Sequence, residues 1–230
     1  MATCPECDNE YSCLGNHWGM SDCSYPSLTQ KQKEVITGIL MGDGCICDTS
    51  KNPRLKVTNT SEKYLQYLDE LFGCLSSGYH VSKTPEESAA IKKPHSETSN
   101  VENCSTIYEW STRSLPELKE FSWYSSGKKV WPDDIDLTPT TLKHWFCGDG
   151  TWNNSGYRNY IAIAMNNERE HTEKVTSYFE DVNIPSPSNY ATTNGVCIAQ
   201  FTTKDSSTLW EYMGDPIDGF EYKWPSEYRN

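Results

Sequence analysis

The apolar positions of this chain switch between two periods, and the whole succession occurs twice. Over 28–43 and again over 137–149, in LTQKQKEVITGILMGD and LTPTTLKHWFCGD, apolar residues recur at helical spacing. A two-residue period follows each, so PRLKVTNT (53–60) and RNYIAIAMNN (158–167) read as strands. Each strand leads into an amphipathic helix, EKYLQYLDELFG (62–73) and EHTEKVTSYFEDV (170–182). Hairpin-like pairs come next: GYHVSK (78–83) with STIYEW (105–110), then SNYATT (188–193) with VCIAQFTT (196–203). A last helix is expected near 114–123 and near 205–213, and the exits agree as KKVWP (128–132) and YKWP (222–225).

This order predicts an α+β fold of two pseudo-symmetric αββαββα halves. Each half is an antiparallel sheet with helices on one face, and the two open faces are free to form a saddle. The expected divisions are an N-terminal segment 1–26, a first half 27–133 and a second half 134–230. Thr29 and Thr138 suit helix N-caps, and Pro139 suits a first helical position. The polar stretch TPEESAAIKKPHSETSNVEN (84–103) interrupts the first hairpin and reads as a long loop.

The opening helix of each half ends in Gly-Asp-Gly, at 42–44 and 148–150, with Gly44 read as a helix stop. A helix C-terminus carries unpaired carbonyls and about half a negative charge, so Asp43 and Asp149 are badly placed there without a cation. Gly38 and Gly42 are small residues at helical spacing and allow close approach of a second helix; that helix offers Gly148, with bulky His144 four residues earlier. Packing these helices side by side would bring Asp43 and Asp149 together. Oxygen ligands of this kind suit Mg²⁺, and the carbonyls of Gly42 and Gly148 are candidate helpers.

The two stretches resemble the paired motifs of the LAGLIDADG homing endonucleases in their single-chain form, with GKKVWPDDIDLTPTTLKHWFCGDGTW (127–152) the most specific part. The resemblance covers most of 28–225 and implies a monomer that cuts both strands of a long, asymmetric double-stranded DNA site. It gives Asp43 and Asp149 the role of divalent-metal ligands. It makes Lys129 and Lys223, each before the Pro of an exit strand, candidates to stabilise transition-state charge. Met41, His144 and Cys147 depart from the family pattern and bear on helix packing. Strand alternation then nominates DNA-facing side chains, Arg54, Lys56 and Thr58 in the first half and Tyr160, Asn166, Gln200 and Thr202 in the second, and Asn59 at the end of the first strand is a further candidate.

Charge complicates that picture. The chain has 230 residues with 20 Lys and Arg against 32 Asp and Glu, a net charge of −12. DNA binders draw much of their affinity from cations meeting phosphate. Segregation of the basic residues onto the saddle, and a salt-rich cytoplasm such as that of a halophilic archaeon, would reconcile the two; molar salt shortens screening to about 3 Å. No apolar run reaches a membrane span, and no apolar signal segment opens the chain, so a cytoplasmic location is expected.

Ten cysteines are many for a reducing compartment. CPECDNEYSCLGNHWGMSDC (4–23) sets Cys4-x₂-Cys7 ahead of His17 and Cys23, a Cys₃His set suited to structural Zn²⁺, with Cys13 a fifth candidate. Cys45, Cys47, Cys74, Cys104, Cys147 and Cys197 show no ligand spacing and read as packing residues. Two other functions use the same scaffold: a non-catalytic DNA-binding regulator, and a splicing cofactor that binds intron RNA.

Overall fold

The computed structural model describes residues 1–47, 51–92, 101–121, 123–125, 128–154, 159–165, 169–193 and 195–229. In chain order the elements are β1 (Ala2–Thr3), β2 (Glu10–Tyr11), α1 (Leu14–Met20), α2 (Gln30–Met41), β3 (Cys45–Cys47), β4 (Arg54–Asn59), α3 (Glu62–Phe72), β5 (Ser76–Lys83), α4 (Pro85–Lys92) and β6 (Ile107–Thr112). They continue with β7 (Tyr124–Ser125), β8 (Lys128–Lys129), α5 (Pro139–Asp149), β9 (Gly150–Asn154), β10 (Asn159–Ala164), α6 (Thr172–Asp181), β11 (Asn189–Thr193), β12 (Val196–Gln200) and α7 (Thr203–Met213). The fold is the expected α+β arrangement. One four-stranded antiparallel sheet runs β3-β4-β6-β5 and the other β9-β10-β12-β11, the same order twice.

Two compact units result. One comprises Met1–Gln32 and Gly44–Glu120; the other comprises Lys33–Asp43 and Phe121–Asn230. The body of α2 therefore lies in the same unit as α5. In the first unit, Leu55, Val57 and Trp110 of the sheet and Tyr64, Leu65, Leu68 and Phe72 of α3 are buried, with Phe72 and Trp110 rings 5.0 Å apart. In the second, Ile161, Ile163, Ala199, Trp145, Phe179 and Trp210 form the core. Both cores arise from the period-2 and period-3.6 faces read in the sequence.

Helix starts obey local chemistry. Thr29 and Gln32 form a reciprocal box, each side chain accepting the other's backbone N–H at 3.2 and 2.9 Å. Thr138 accepts Thr141 N–H at 3.1 Å, with Pro139 in the first turn. Four details differ from expectation. The helix expected near 114–123 is a short 3₁₀ stretch, Pro116–Phe121. The expected loop 84–103 begins with α4, which Thr84 opens through reciprocal bonds with Glu87, and ends in the 3₁₀ turn Val101–Asn103; residues 93–100 lie outside the described residues. The second hairpin strand of the first half is displaced to 107–112. Finally, Gly44 is not the helix stop: α2 ends at Met41, where Gly42 N–H bonds the carbonyls of both Gly38 and Ile39 and tightens the last turn, whereas α5 continues through Asp149.

Candidate functional site

α2 and α5 pack through bare backbone. A Cβ at Gly38 would sit 2.3 Å from Thr141 O and 2.7 Å from His144 Cβ; one at Gly42 would lie 3.5 Å from Gly148 Cα. These contacts advance together along both helices, so the helices run in the same direction and end together. At that end a Cβ on Gly148 would be 3.2 Å from Asp43 N and 3.7 Å from Asp43 Oδ2. His144, buried at 2% exposure, fits because Gly38 has no side chain. Gly150 is equally constrained, since a Cβ there would overlap the Phe146 ring at 2.0 Å.

Asp43 is exposed and Asp149 half-buried, on neighbouring helix ends. Each end also receives a lysine. Lys129 Nζ donates to Met41 O at 3.3 Å and Gly42 O at 3.1 Å. Lys223 Nζ donates to Phe146 O, Cys147 O and Gly148 O at 3.3, 2.7 and 3.4 Å. The duplicated lysines thus occupy equivalent positions, one per helix, where a cation is favoured by about 0.3–1 kcal/mol and more when desolvated. Burial pushes the Lys223 ammonium below its ordinary range, while Cys147, Asp43 and Asp149 pull it back up. Both aspartates therefore act on this one lysine. The carbonyls of Gly42 and Gly148, expected as metal helpers, are already engaged by the lysines; each oxygen keeps a second lone pair.

Beside Asp149 lies a cavity of about 420 Å³ lined by Gly148, Gly150, Thr151, Trp152, Ala164, Tyr222 and Lys223. Thr151, Trp152 and Tyr222 were not singled out in the sequence, although the strand after the second Gly-Asp-Gly has to leave from this point. The donor set around Asp43 and Asp149 is all hard oxygen, which fits a divalent cation of the Mg²⁺ class.

Of the nominated DNA-facing residues, Arg54, Lys56 and Thr58 in the first sheet and Tyr160 and Gln200 in the second alternate with the buried Leu55 and Val57 or Ile161, Ile163 and Ala199, whereas Asn59 shares the alternation of Leu55 and Val57. Arg54 and Thr58 are exposed and Lys56 and Asn59 half-buried. Strand register adds Cys45, His80, Glu109 and Ser111 to this face, a gain the paired alternation of 78–83 and 105–110 already contained. Lys56 is not free for phosphate: it pairs with Glu109 at 2.6 Å. Asn59 accepts Ser61 N–H at the start of α3. In the second sheet Tyr160 and Gln200 are half-buried; Asn189 Nδ2 donates to Gln200 Oε1 at 3.3 Å. Thr202 caps α7, accepting Asp205 N–H and donating to Asp205 Oδ2, so its hydroxyl is spoken for. Asn166 lies outside the described residues.

Among the described residues the open face of the first sheet carries Arg54 and Lys56, but the expected concentration of basic residues is not found on the second sheet. No strand of the second sheet contains a Lys or Arg. Its open face holds amides, hydroxyls, Tyr160 and small apolar residues, because the lysines of this half lie on helices and exits. The packing role expected for Cys147 and Cys197 agrees with their burial, but Cys45 and Cys47 lie on the open sheet face with thiols 3.9 Å apart. Burial and the neighbouring Cys47 push the Cys45 thiol up to about 11.

At the N-terminus, Cys4, Cys7, His17 and Cys23 bring one ligand atom each to within 4.8 Å of all the others. Cys13 is exposed and outside this group. Burial raises the Cys4 thiol, but hydrogen bonds from the Cys7 and Glu6 backbone outweigh it and bring it to about 6; burial and Cys7 push Cys23 up to about 11.

No helix among the described residues is long and apolar enough to cross a membrane. The model of the LAGLIDADG DNA endonuclease family matches residues 33–209. Curated relatives include the cytochrome b mRNA maturase bI2 of Debaryomyces hansenii, 28% identical over 148 residues, covering 61% of this chain and 52% of that protein. Protein RecA of Mycobacterium gastri is 28% identical over 131 residues, covering 54% and 27%. The chain spans about half, or less, of the length of these relatives. Among solved structures, homing endonuclease I-WcaI bound to its DNA recognition sequence shares the fold at a TM-score of 0.70 and 14% identity, over 90% of this chain and 96% of that one. Full-length DUF199/WhiA from Thermatoga maritima aligns at 0.51 and 16% identity, over 83% and 57%.

Proposed function

The chain belongs to the LAGLIDADG DNA endonuclease family, and on that premise we propose that it is a site-specific, double-stranded DNA endonuclease acting as a monomer. The observation that carries this reading is the doubled helix end, where the ends of α2 and α5, which carry Asp43 and Asp149, pack together and each helix has its own lysine. In this reading 27–133 and 134–230 are the two family halves, and 1–26 is an added segment. The I-WcaI complex supports DNA as the partner.

Asp43 and Asp149, with the Gly42 and Gly148 carbonyls, would hold divalent ions, for which we name Mg²⁺. Bound there, such ions supply an acidified water and neutralise charge on the attacking and leaving oxygens. The chain's own residues do the rest. Lys129 and Lys223 hold ammonium charge beside the aspartates, fixed in advance by carbonyls, so little reorganisation is needed when phosphate charge develops. Desolvation strengthens the action of Lys223. Since each lysine belongs to one helix end, each serves one strand. The acidic balance suits work in a salt-rich cytoplasm.

The test uses a duplex with each strand separately labelled. Lys129→Met and Lys223→Met should each suppress cleavage of a different strand and leave nicked product. Unchanged cutting of both strands by both variants would overturn the roles of the lysines. The maturase relationship favours one second reading, an intron RNA splicing cofactor on the same scaffold. The likeness to DUF199/WhiA leaves a DNA-binding regulator as the other. Competition between intron RNA and duplex DNA for binding separates RNA from DNA partners.

A further inference from the structure

We propose that Cys4, Cys7, His17 and Cys23 form a tetrahedral structural zinc site that organises residues 1–26 independently of the nuclease metals. The four ligand atoms come from three small elements and still converge within 4.8 Å. Cys4 and Cys7 lie in the turn of the β1–β2 hairpin, where Cys4 N–H bonds Asn9 O at 2.9 Å and Asp8 N–H bonds Cys4 O at 2.9 Å. Asp8 adopts φ of 56° there, which folds the chain back toward the two sulfurs. His17 comes from α1 with Nε2 3.6 Å from Cys7 Sγ, so that ring nitrogen faces the cluster. Cys23 follows α1, and Ser24 N–H bonds Glu6 Oε2 at 2.6 Å, tying this strand of chain to the Cys4–Cys7 turn.

Supporting contacts fix the ligands. The Tyr11 ring stacks on His17 at 3.8 Å and 14°, and its hydroxyl lies 3.7 Å from Cys7 Sγ. The stacked ring holds the imidazole plane with Nε2 toward Cys7 Sγ. Strands of two residues and a helix of seven cannot hold themselves together by propensity. Leu14 and Trp18, on α1 itself, are buried, and a metal cross-link through His17 would hold this short helix in place.

The donor set selects the ion. Three thiolates and one imidazole favour zinc over the hard cations that suit Asp43 and Asp149. Three thiolates and a neutral imidazole around Zn²⁺ give a site of charge −1, and any thiol still protonated releases its proton on binding. The two metal classes therefore occupy separate sites in one chain.

The experiment uses the full chain, purified without chelator. Elemental analysis should find one zinc per chain, retained in the Asp43→Asn/Asp149→Asn double variant and in Cys13→Ser, and lost in Cys7→Ser. Replacement by cobalt should give the intense visible bands of a tetrahedral ion and sulfur-to-cobalt charge transfer. Should Cys7→Ser fail to fold, alkylation of the parent decides: Cys4, Cys7 and Cys23 should be protected until zinc is stripped, while Cys13 reacts throughout. Absence of zinc with no protection on adding it overturns the site. So does zinc that disappears in the double aspartate variant.

Discussion

The closest approach of α2 to α5 is at Gly38, and Gly38→Ala tests whether that approach sets the aspartates. The new methyl would begin 2.3 Å from Thr141 O, a backbone atom, and 2.7 Å from His144 Cβ. Ordinary contact needs roughly 1 Å more, and neither atom can swing aside, so the helices must separate. Overpacking of this kind costs about 1–3 kcal/mol, sometimes more. Alanine recovers about 1 kcal/mol of helix propensity. Gly42→Ala is the comparison, because its methyl would meet only ordinary contacts from 3.5 Å outward. We expect Gly38→Ala to be about 2 kcal/mol less stable than Gly42→Ala, a shift of about 1 M in urea midpoint. Displacing Asp43 from Asp149 by about 1 Å should also cut the cleavage rate of Gly38→Ala by about 10²-fold. A Gly38→Ala protein with the parent's midpoint and full cleavage would refute the packing argument.

Other perturbations follow from particular contacts. Burial lowers the folded pKa of Lys223, so the unfolded chain binds more protons in the window between that lowered value and the usual lysine range. Stability should rise with pH through that window while cleavage that needs the ammonium falls; Lys223→Met should flatten both profiles, and unaltered profiles would count against it. Thr138→Ala removes the N-cap bond to Thr141 N–H and should cost about 1 kcal/mol in thermal or urea denaturation. With Lys56 held by Glu109 and no basic residue in the strands of the second sheet, DNA affinity should depend weakly on salt, with a log–log slope of about −2 to −4. Glu109→Gln should steepen that slope by freeing Lys56, and titration of binding against KCl reads it directly.

Much of this molecule is visible in its residues because burial follows local period. Leu55 and Val57, or Ile161 and Ile163, announce both a strand and its inner face. The close approach of α2 to α5 was legible through Gly38, Gly42 and Gly148, since residues without side chains mark close backbone approach. What was not legible depends on partners far away in the chain. Lys129 reaches the Met41 and Gly42 carbonyls, and Lys56 finds Glu109 on a different strand; no spacing rule specifies either. The 3₁₀ stretch Pro116–Phe121 reads as a longer helix in the sequence because three apolar residues in six suit both periods. Strand alternation points Thr202 toward DNA, whereas Asp205 three residues on is the mark of the helix cap it forms. The lack of Lys and Arg in the strands of the second sheet, against the expected basic saddle, could be seen only once the strand bounds were known.

The central claim is that the paired aspartates make this family member a nuclease. The most direct measurement incubates the chain with a randomised double-stranded DNA library and Mg²⁺, at moderate and high KCl, beside Asp43→Asn and Asp149→Asn. The account predicts one long, asymmetric motif cut on both strands by the parent and bound but uncut by either variant. A motif enriched by binding and left uncut by the parent with Mg²⁺, Mn²⁺ or Ca²⁺ would contradict it and leave a DNA-binding protein on an endonuclease scaffold.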